Sequence, residues 1–193
     1  AEEFVRQRAK TIAAIQSLNA DVIGLMEMEN DGFGSTSAIQ DLVDGLGPDW
    51  SFVNPGTSVI GGDEITVGII YRNSRVVPVG NAVTTASGAF ADRNRQPLLQ
   101  SFRRVNSGDS FSVVVNHFKS KGSCPTDGSN NEDQGDGQSC WNPVRVAAAQ
   151  DLAAWINSNP TGHVDGDVVI IGDLNAYAKE DPIQTLETLG YTN

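Results

Sequence analysis

The sequence predicts an α/β sandwich, a mixed sheet system with helices on its outer faces. Three observations carry that prediction. Apolar residues recur at helical spacing near both ends of the chain, at Val5, Ala9, Ile12, Ile15 and Leu18 and again at Ala147, Leu152 and Ile156. Between them lie several strand-like runs, including a hairpin pattern from Pro97 to Phe118. The 193 residues suffice for one substantial core, and no internal repeat or linker interrupts them, so a single domain over 1–193 is expected.

Each element follows in order. Glu2 to Leu18 carries the first apolar stripe, and Glu2 and Glu3 suit the positive end of a helix dipole. Asn19-Ala-Asp21 breaks it, and Val22 to Met28 is a short apolar strand. A Gly-rich loop over Asn30 to Gly34 precedes Ser35, which reads as the N-cap of a helix to about Leu46. Trp50 to Val53 is a short strand and Pro55 to Gly62 a loop. Ile65 to Arg72 and Val76 to Val79 are strands on either side of a turn at Asn73-Ser74. An irregular connection over Asn81 to Asn94 leads to the hairpin, Pro97 to Val105 and Ser110 to Phe118 around Asn106 to Asp109. Lys119 to Trp141 is a long polar loop, and loops of that length inside a domain are functional or tied down. Asn142-Pro143 caps a helix to about Asn157. Val168 to Leu174 is the last strand, and Asp181-Pro182 opens a short helix that stops at Gly190. This order suits sheets covered by helices.

The net charge of -11 disfavours indiscriminate adhesion to phosphate backbones, yet a local basic strip or a metal can override that mean. Basic residues do bunch along the chain, at Arg72, Arg75, Arg93, Arg95, Arg103, Arg104, Lys119 and Lys121, while much of the acid lies in 21–49 and 127–136. No apolar run approaches the roughly 20 residues that span a bilayer, so no membrane partner is expected. The opening residues read as a first helical turn rather than a leader. Cys124 and Cys140 bracket a polar stretch, which suits a disulfide in an oxidising compartment, extracellular or periplasmic. Closing such a loop contributes about 3 kcal/mol in the chain-entropy treatment.

Chemistry-bearing residues gather at predicted strand ends. Asp167-Val-Val-Ile-Ile-Gly-Asp-Leu-Asn-Ala176 is a greasy strand ending in Asp173 and Asn175, two apart and so on one face if the strand continues. The alternative is an Asx-rich turn after the strand. Glu27, closing Asp21-Val-Ile-Gly-Leu-Met-Glu27, is either a hard oxygen ligand for Mg²⁺ or one of several solvated acids. His117, closing Val113-Val-Val-Asn-His117, is either an acid–base group or a satisfied half-buried histidine. Arg72 and Arg95 could fork a phosphate, although strand arginines are more often solvated. His163 reads as incidental. The acidic run Asn130 to Gly137 could hold a structural Ca²⁺, although its spacing is not that of an EF-hand and a solvated loop explains it equally.

Taken in order, a strand-end Glu, a Tyr-Arg strand, an Arg-x-Pro strand, a strand-end His and a Gly-Asp-x-Asn strand resemble the endonuclease/exonuclease/phosphatase superfamily, the deoxyribonuclease-I-like phosphodiesterases. Leu25-Met-Glu-Met-Glu-Asn30, Val115-Asn-His-Phe-Lys-Ser-Lys121 and Gly172-Asp-Leu-Asn-Ala176 are most similar to its secreted bacterial nucleases, a branch the paired cysteines also fit. The resemblance covers nearly the whole chain. It implies a two-sheet sandwich flanked by helices and a metal-dependent nuclease acting on DNA, with RNA also open. Glu27 would match the ligand of a catalytic Mg²⁺ or Mn²⁺. Asp173 would match the residue that orients or deprotonates the attacking water, and Asn175 its phosphate-binding neighbour. His117 would match a phosphate-contacting histidine, Arg95 a backbone-contacting arginine, and Asp63 or Glu64 the group orienting His117. The superfamily also carries an asparagine on a strand before this first helix and a final Asp-His pair, and neither is found in this sequence. The expectation is therefore a domain lacking the first and last strands, weakly active or inactive alone. The competing readings are a phosphodiesterase of lipid or inositol phosphate headgroups and a non-catalytic binding module that kept the fold.

Overall fold

The computed structural model describes residues 2–163 and 166–193. Its elements are α1 (Glu2–Leu18), β1 (Val22–Glu29), α2 (Ala38–Leu46), β2 (Trp50–Phe52), β3 (Ile65–Arg72), β4 (Val76–Thr84), β5 (Leu98–Arg104), β6 (Ser110–His117), α3 (Asn142–Asn157), β7 (Val168–Asp173) and α4 (Asp181–Thr188). The strands form two sheets, in the orders β1-β3-β2 and β4-β5-β6-β7. All pairings are antiparallel except β6 with β7, which run parallel through α3.

Side-chain alternation builds the layers. Val67 and Ile69 of β3 meet Leu98, Val113 and Val115 between the sheets. The intervening residues face outward. Ile70 packs under α1 and α2 with Ile15, Leu42 and Trp50, and Leu99 and Val114 pack under α3 with Ala148 and Leu152. The result is a sandwich of two sheets between two helical layers. Gly24 is where β1 crosses the second sheet, and a Cβ there would lie 2.7 Å from Ile171 Cδ1 and 2.8 Å from Val115 Cγ2.

Several local expectations are corrected. Ser37, not Ser35, caps α2, its Oγ accepting from the Gln40 amide at 3.3 Å. Asn142 does not cap α3. The capping position is Trp141, at φ 64°, and the Asn142 amide instead donates to Asp181 Oδ2 at 2.8 Å, tying α3 to α4. The turn at Asn73-Ser74 lies between strands as expected and carries the chain from one sheet to the other. β4 runs on to Thr84, because a bulge between Val79 and Val83 absorbs Gly80 without ending the ladder. In α1 only Ile15 is buried, while Val5 and Leu18 remain largely exposed.

Candidate active site

Parallel pairing places His117 directly beside Asp173 at the carboxyl ends of β6 and β7. Both continue the face of Val115 and Ile171, so they stand at the rim of the inter-sheet core. Gly172 makes this approach possible. Its φ is 122°, and a Cβ would collide with the Asn116 carbonyl oxygen, so only glycine fits.

Glu27 reaches the same rim by a bulge. Leu25 pairs with Gly68 and Met28 with Thr66, so β1 carries one extra residue there. Glu27 sits in it at φ 58°, a left-handed conformation that disfavours a glutamate. Its side chain makes no hydrogen bond or salt bridge among the described residues. Its charge is nonetheless felt by His117, as are those of Asp173 and Asp63.

Arg95 closes the group from the other side. Its backbone amide donates to the His117 carbonyl at 3.2 Å, and its guanidinium lies 2.8 Å from Asp63 Oδ2 and 3.4 Å from His117 Nε2. A guanidinium only donates, so Nε2 must accept and the ring proton sits on Nδ1. That nitrogen is buried and has no partner, a cost of about 1–3 kcal/mol. Burial and then the Arg95 charge push the His117 pKa below the usual histidine value, against the pull of the three carboxylates. The ring is therefore neutral at physiological pH.

Asn175 does not lie on a continuing strand. β7 stops at Asp173, Asn175 turns to φ 47°, and its amide donates to Asp173 Oδ1 at 2.8 Å in an Asx turn. Its Nδ2 donates to the Phe118 carbonyl at 3.0 Å, and its amide oxygen has no hydrogen-bond partner among the described residues. The turn brings Asn175 back to the end of β6 rather than displaying it beside Asp173.

Two expected residues do not join this group. Arg72 ends β3 at the opposite end of the sandwich, some 23 Å along the strand from Ile65. There it lies over Trp50, 5.1 Å from the ring centroid, and donates to Asn19. Glu64 contributes only its backbone, its carbonyl accepting from Asn30 and its amide donating to the Asp63 carboxylate. Asp63 is linked to His117 by Arg95, whose guanidinium contacts both.

Residues not singled out from sequence hold the rim in place. Buried Asn94 donates to the Ala89 carbonyl and accepts from the Lys119 amide at 2.9 Å, hanging the Arg95 segment on the end of β6. Arg145, fully buried in α3, donates to the carbonyls of Lys119, Gln138 and Cys140. Nothing in a helical periodicity marks such an arginine, because the groups it serves are loop carbonyls distant in sequence. Cys124 and Cys140 form the expected disulfide, with Cα atoms 5.4 Å apart. In the enclosed acidic run, the side chains of Asp127, Glu132, Asp133 and Asp136 accept from loop amides nearby. A cleft of 440 Å³ adjoins the rim, lined by Gly61, Asp63, Phe90, Arg93 and Arg95 among others.

Among the described residues, no three His, Cys, Asp or Glu side chains gather into a cage for a metal. Mg²⁺ needs none, since it is held through one or two carboxylates, waters and substrate phosphates. The Glu27 carboxylate and the Asn175 amide oxygen, without hydrogen-bond partners among the described residues, are hard donors of that kind, so the donor chemistry fits Mg²⁺ or Mn²⁺.

No family model matches this sequence, and no curated protein matches it. Solved structures do. An endonuclease/exonuclease/phosphatase family protein from Bacteroides thetaiotaomicron matches with a TM-score of 0.65 at 14% identity, over 96% of this chain and 60% of that one. A mannosyl-6-phosphatase from the same organism matches at 0.63 and 14%, over 96% and 62%. The human Nocturnin catalytic domain, with a bound sulfate anion, matches at 0.61 and 18%, over 93% and 60%. The chain thus spans about 60% of the length of these structures. The two-sheet sandwich described above has the fold of the endonuclease/exonuclease/phosphatase proteins.

Proposed function

We propose that this chain carries the site of a metal-dependent phosphodiesterase that cleaves nucleic acid, DNA foremost, in an extracellular or periplasmic setting. The observation that supports it is the meeting of Glu27, Asp63, Arg95, His117 and Asp173 at one sheet rim, seen in the charges acting on His117. A rim where carboxylates, a guanidinium and a neutral imidazole converge suits a tetrahedral anion attacked by water. The disulfide supports the oxidising setting.

Roles follow from the contacts. Asp173, exposed and beside His117, orients the attacking water and takes its proton. His117 accepts from Arg95 and so aims the guanidinium, with Asp63 holding its other edge. The remaining Nη hydrogens of Arg95 then meet the phosphate oxygens. A neutral, buried ring suits this positioning better than proton donation to the leaving group. Asn175, fixed by its turn, offers its amide oxygen at the same rim. Glu27 would hold Mg²⁺ or Mn²⁺. A bound divalent ion would supply charge neutralisation on the phosphoryl oxygens.

Plasmid nicking tests this reading. Nicking in Mg²⁺, lost in EDTA, with Glu27→Gln needing about ten-fold more Mg²⁺, is the expected result. Calorimetric Mn²⁺ binding that is unchanged in Glu27→Gln, or nicking with identical Mg²⁺ dependence in Glu27→Gln, overturns it.

A further inference from the structure

Beyond Arg95 the rim continues into a second set of cations. Arg93 lies over the Trp141 ring, 4.8 Å from its centroid, and Lys119 Nζ lies 5.2 Å from the same ring. Lys121 Nζ sits 4.7 Å from the Tyr177 ring and 2.5 Å from Glu180 Oε1. Arg93 pairs with Asp92 at 3.0 Å, but Lys119 has no carboxylate partner among the described residues and bonds only Ser120 and Gly122 oxygens. Burial, then the charges of Arg93, Arg145 and Arg95, push the Lys119 pKa down. This is a positive field left partly uncompensated on a protein of net charge -11.

The strip is held rigidly. Trp141 Nε1 donates to the carbonyls of Gly122 and Ser123, Arg145 holds the Lys119 carbonyl, and the Cys124–Cys140 disulfide closes the loop. Tyr177, two residues past Asn175, is 78% exposed. With Lys121 on one face of its ring, the other face stays open. Exposed aromatics interleaved with cations are how proteins follow a single strand, bases stacking while phosphates meet the charges.

We propose that Arg93, Lys119, Lys121 and Tyr177 form a track for a single-stranded polynucleotide running from the phosphodiester site onto the disulfide-closed loop. The inference rests on reading the rim as that site and names its substrate form, an unpaired strand rather than a small phosphate ester. Cations on fixed backbone lose little freedom on binding, so the track is preorganised.

Fluorescence anisotropy with a labelled oligothymidylate in EDTA tests the track without turnover. Arg93→Gln with Lys119→Gln is expected to weaken binding about ten-fold and to lower the salt slope by roughly 1.4, the loss of two phosphate contacts. Tyr177→Leu should weaken it about ten-fold and remove the preference over duplex of the same length. Arg103→Gln with Arg104→Gln removes the same charge at the far end of β5 and should change binding less than about two-fold. Equal weakening by the two double variants overturns the track, as does unchanged binding in Tyr177→Leu. Glutamine removes the charge while keeping a polar stem beside Trp141, and melting curves of each variant confirm folding. Binding as described with Mn²⁺ affinity unchanged in Glu27→Gln counts against the catalytic reading and leaves the track standing. Cleavage with both doubles binding alike does the reverse.

Discussion

The two ends of the sandwich carry similar residues in opposite circumstances. At the Arg72 end, Arg72, Arg75 and Asp49 are each answered within the fold. Arg72 lies on Trp50 and bonds Asn19, Arg75 faces Asp21, and Asp49 accepts from the Ser74 amide and hydroxyl. At the His117 end, Glu27 and Lys119 lack ion-pair partners among the described residues, and His117 Nδ1 is buried without one. Positive φ occurs at both ends, at Glu27, Asn175 and Trp141 near this rim and at Asn19 beside Arg72. Charges answered within the fold are structural. Charges gathered and left open mark a surface shaped for something else.

Substitutions at the two ends sharpen that contrast. The largest difference is expected in turnover. Asp173→Asn should lower the nicking rate about 10²–10⁴-fold, whereas Arg72→Ala should leave it within about two-fold and lower stability by about 0.5–1 kcal/mol. Parallel nicking and melting measurements on both variants check this, and comparable rate losses at both ends would erase the distinction.

Next in size is the support behind the rim. Arg145→Met leaves three carbonyls without their donor and should cost about 3 kcal/mol, or about 6–12 °C in melting temperature for a chain of this length. Arg104→Ala, exposed at the far end, should stay within about 0.5 kcal/mol. Urea melts of both would show whether the loop needs its buried guanidinium.

The smallest effect is a slope with pH. His117 has a folded pKa below its unfolded value of about 6.5. Between those two values the unfolded chain binds more protons, so stability rises with pH there. The contribution is fully present above about pH 6.5 and is lost as pH falls toward the folded value. His117→Asn should flatten the pH dependence of the melting temperature in EDTA over that window. An unchanged slope would mean the ring is not held neutral.

Much of the fold was legible because periodicity reports burial. The bounds of β3 are those the alternation gives, and the hairpin of β5 and β6 follows from two apolar runs around Asn106 to Asp109. The misplaced features share a cause. Capping at Trp141 and the course of β4 past Gly80 depend on neighbours far away in sequence. At the site, Glu27, His117 and Asp173 could be nominated as strand-end residues, but Arg72 was nominated on the same grounds and lies at the wrong end. Position at a strand terminus is local information, whereas which terminus faces which depends on strand direction.

By itself, the sequence determined the identity and order of the strands and helices, the residues that fill the core and the loop its cysteines close, because these depend on side-chain chemistry and short-range spacing. Tertiary structure alone decided that β6 and β7 run parallel with His117 beside Asp173, that a bulge turns Glu27 toward them, and that Arg95 rather than Arg72 stands at that rim. The physical reason is that electrostatic coupling falls with distance in space, and only the packing of the two sheets brings together charges that the chain holds 22 to 146 residues apart.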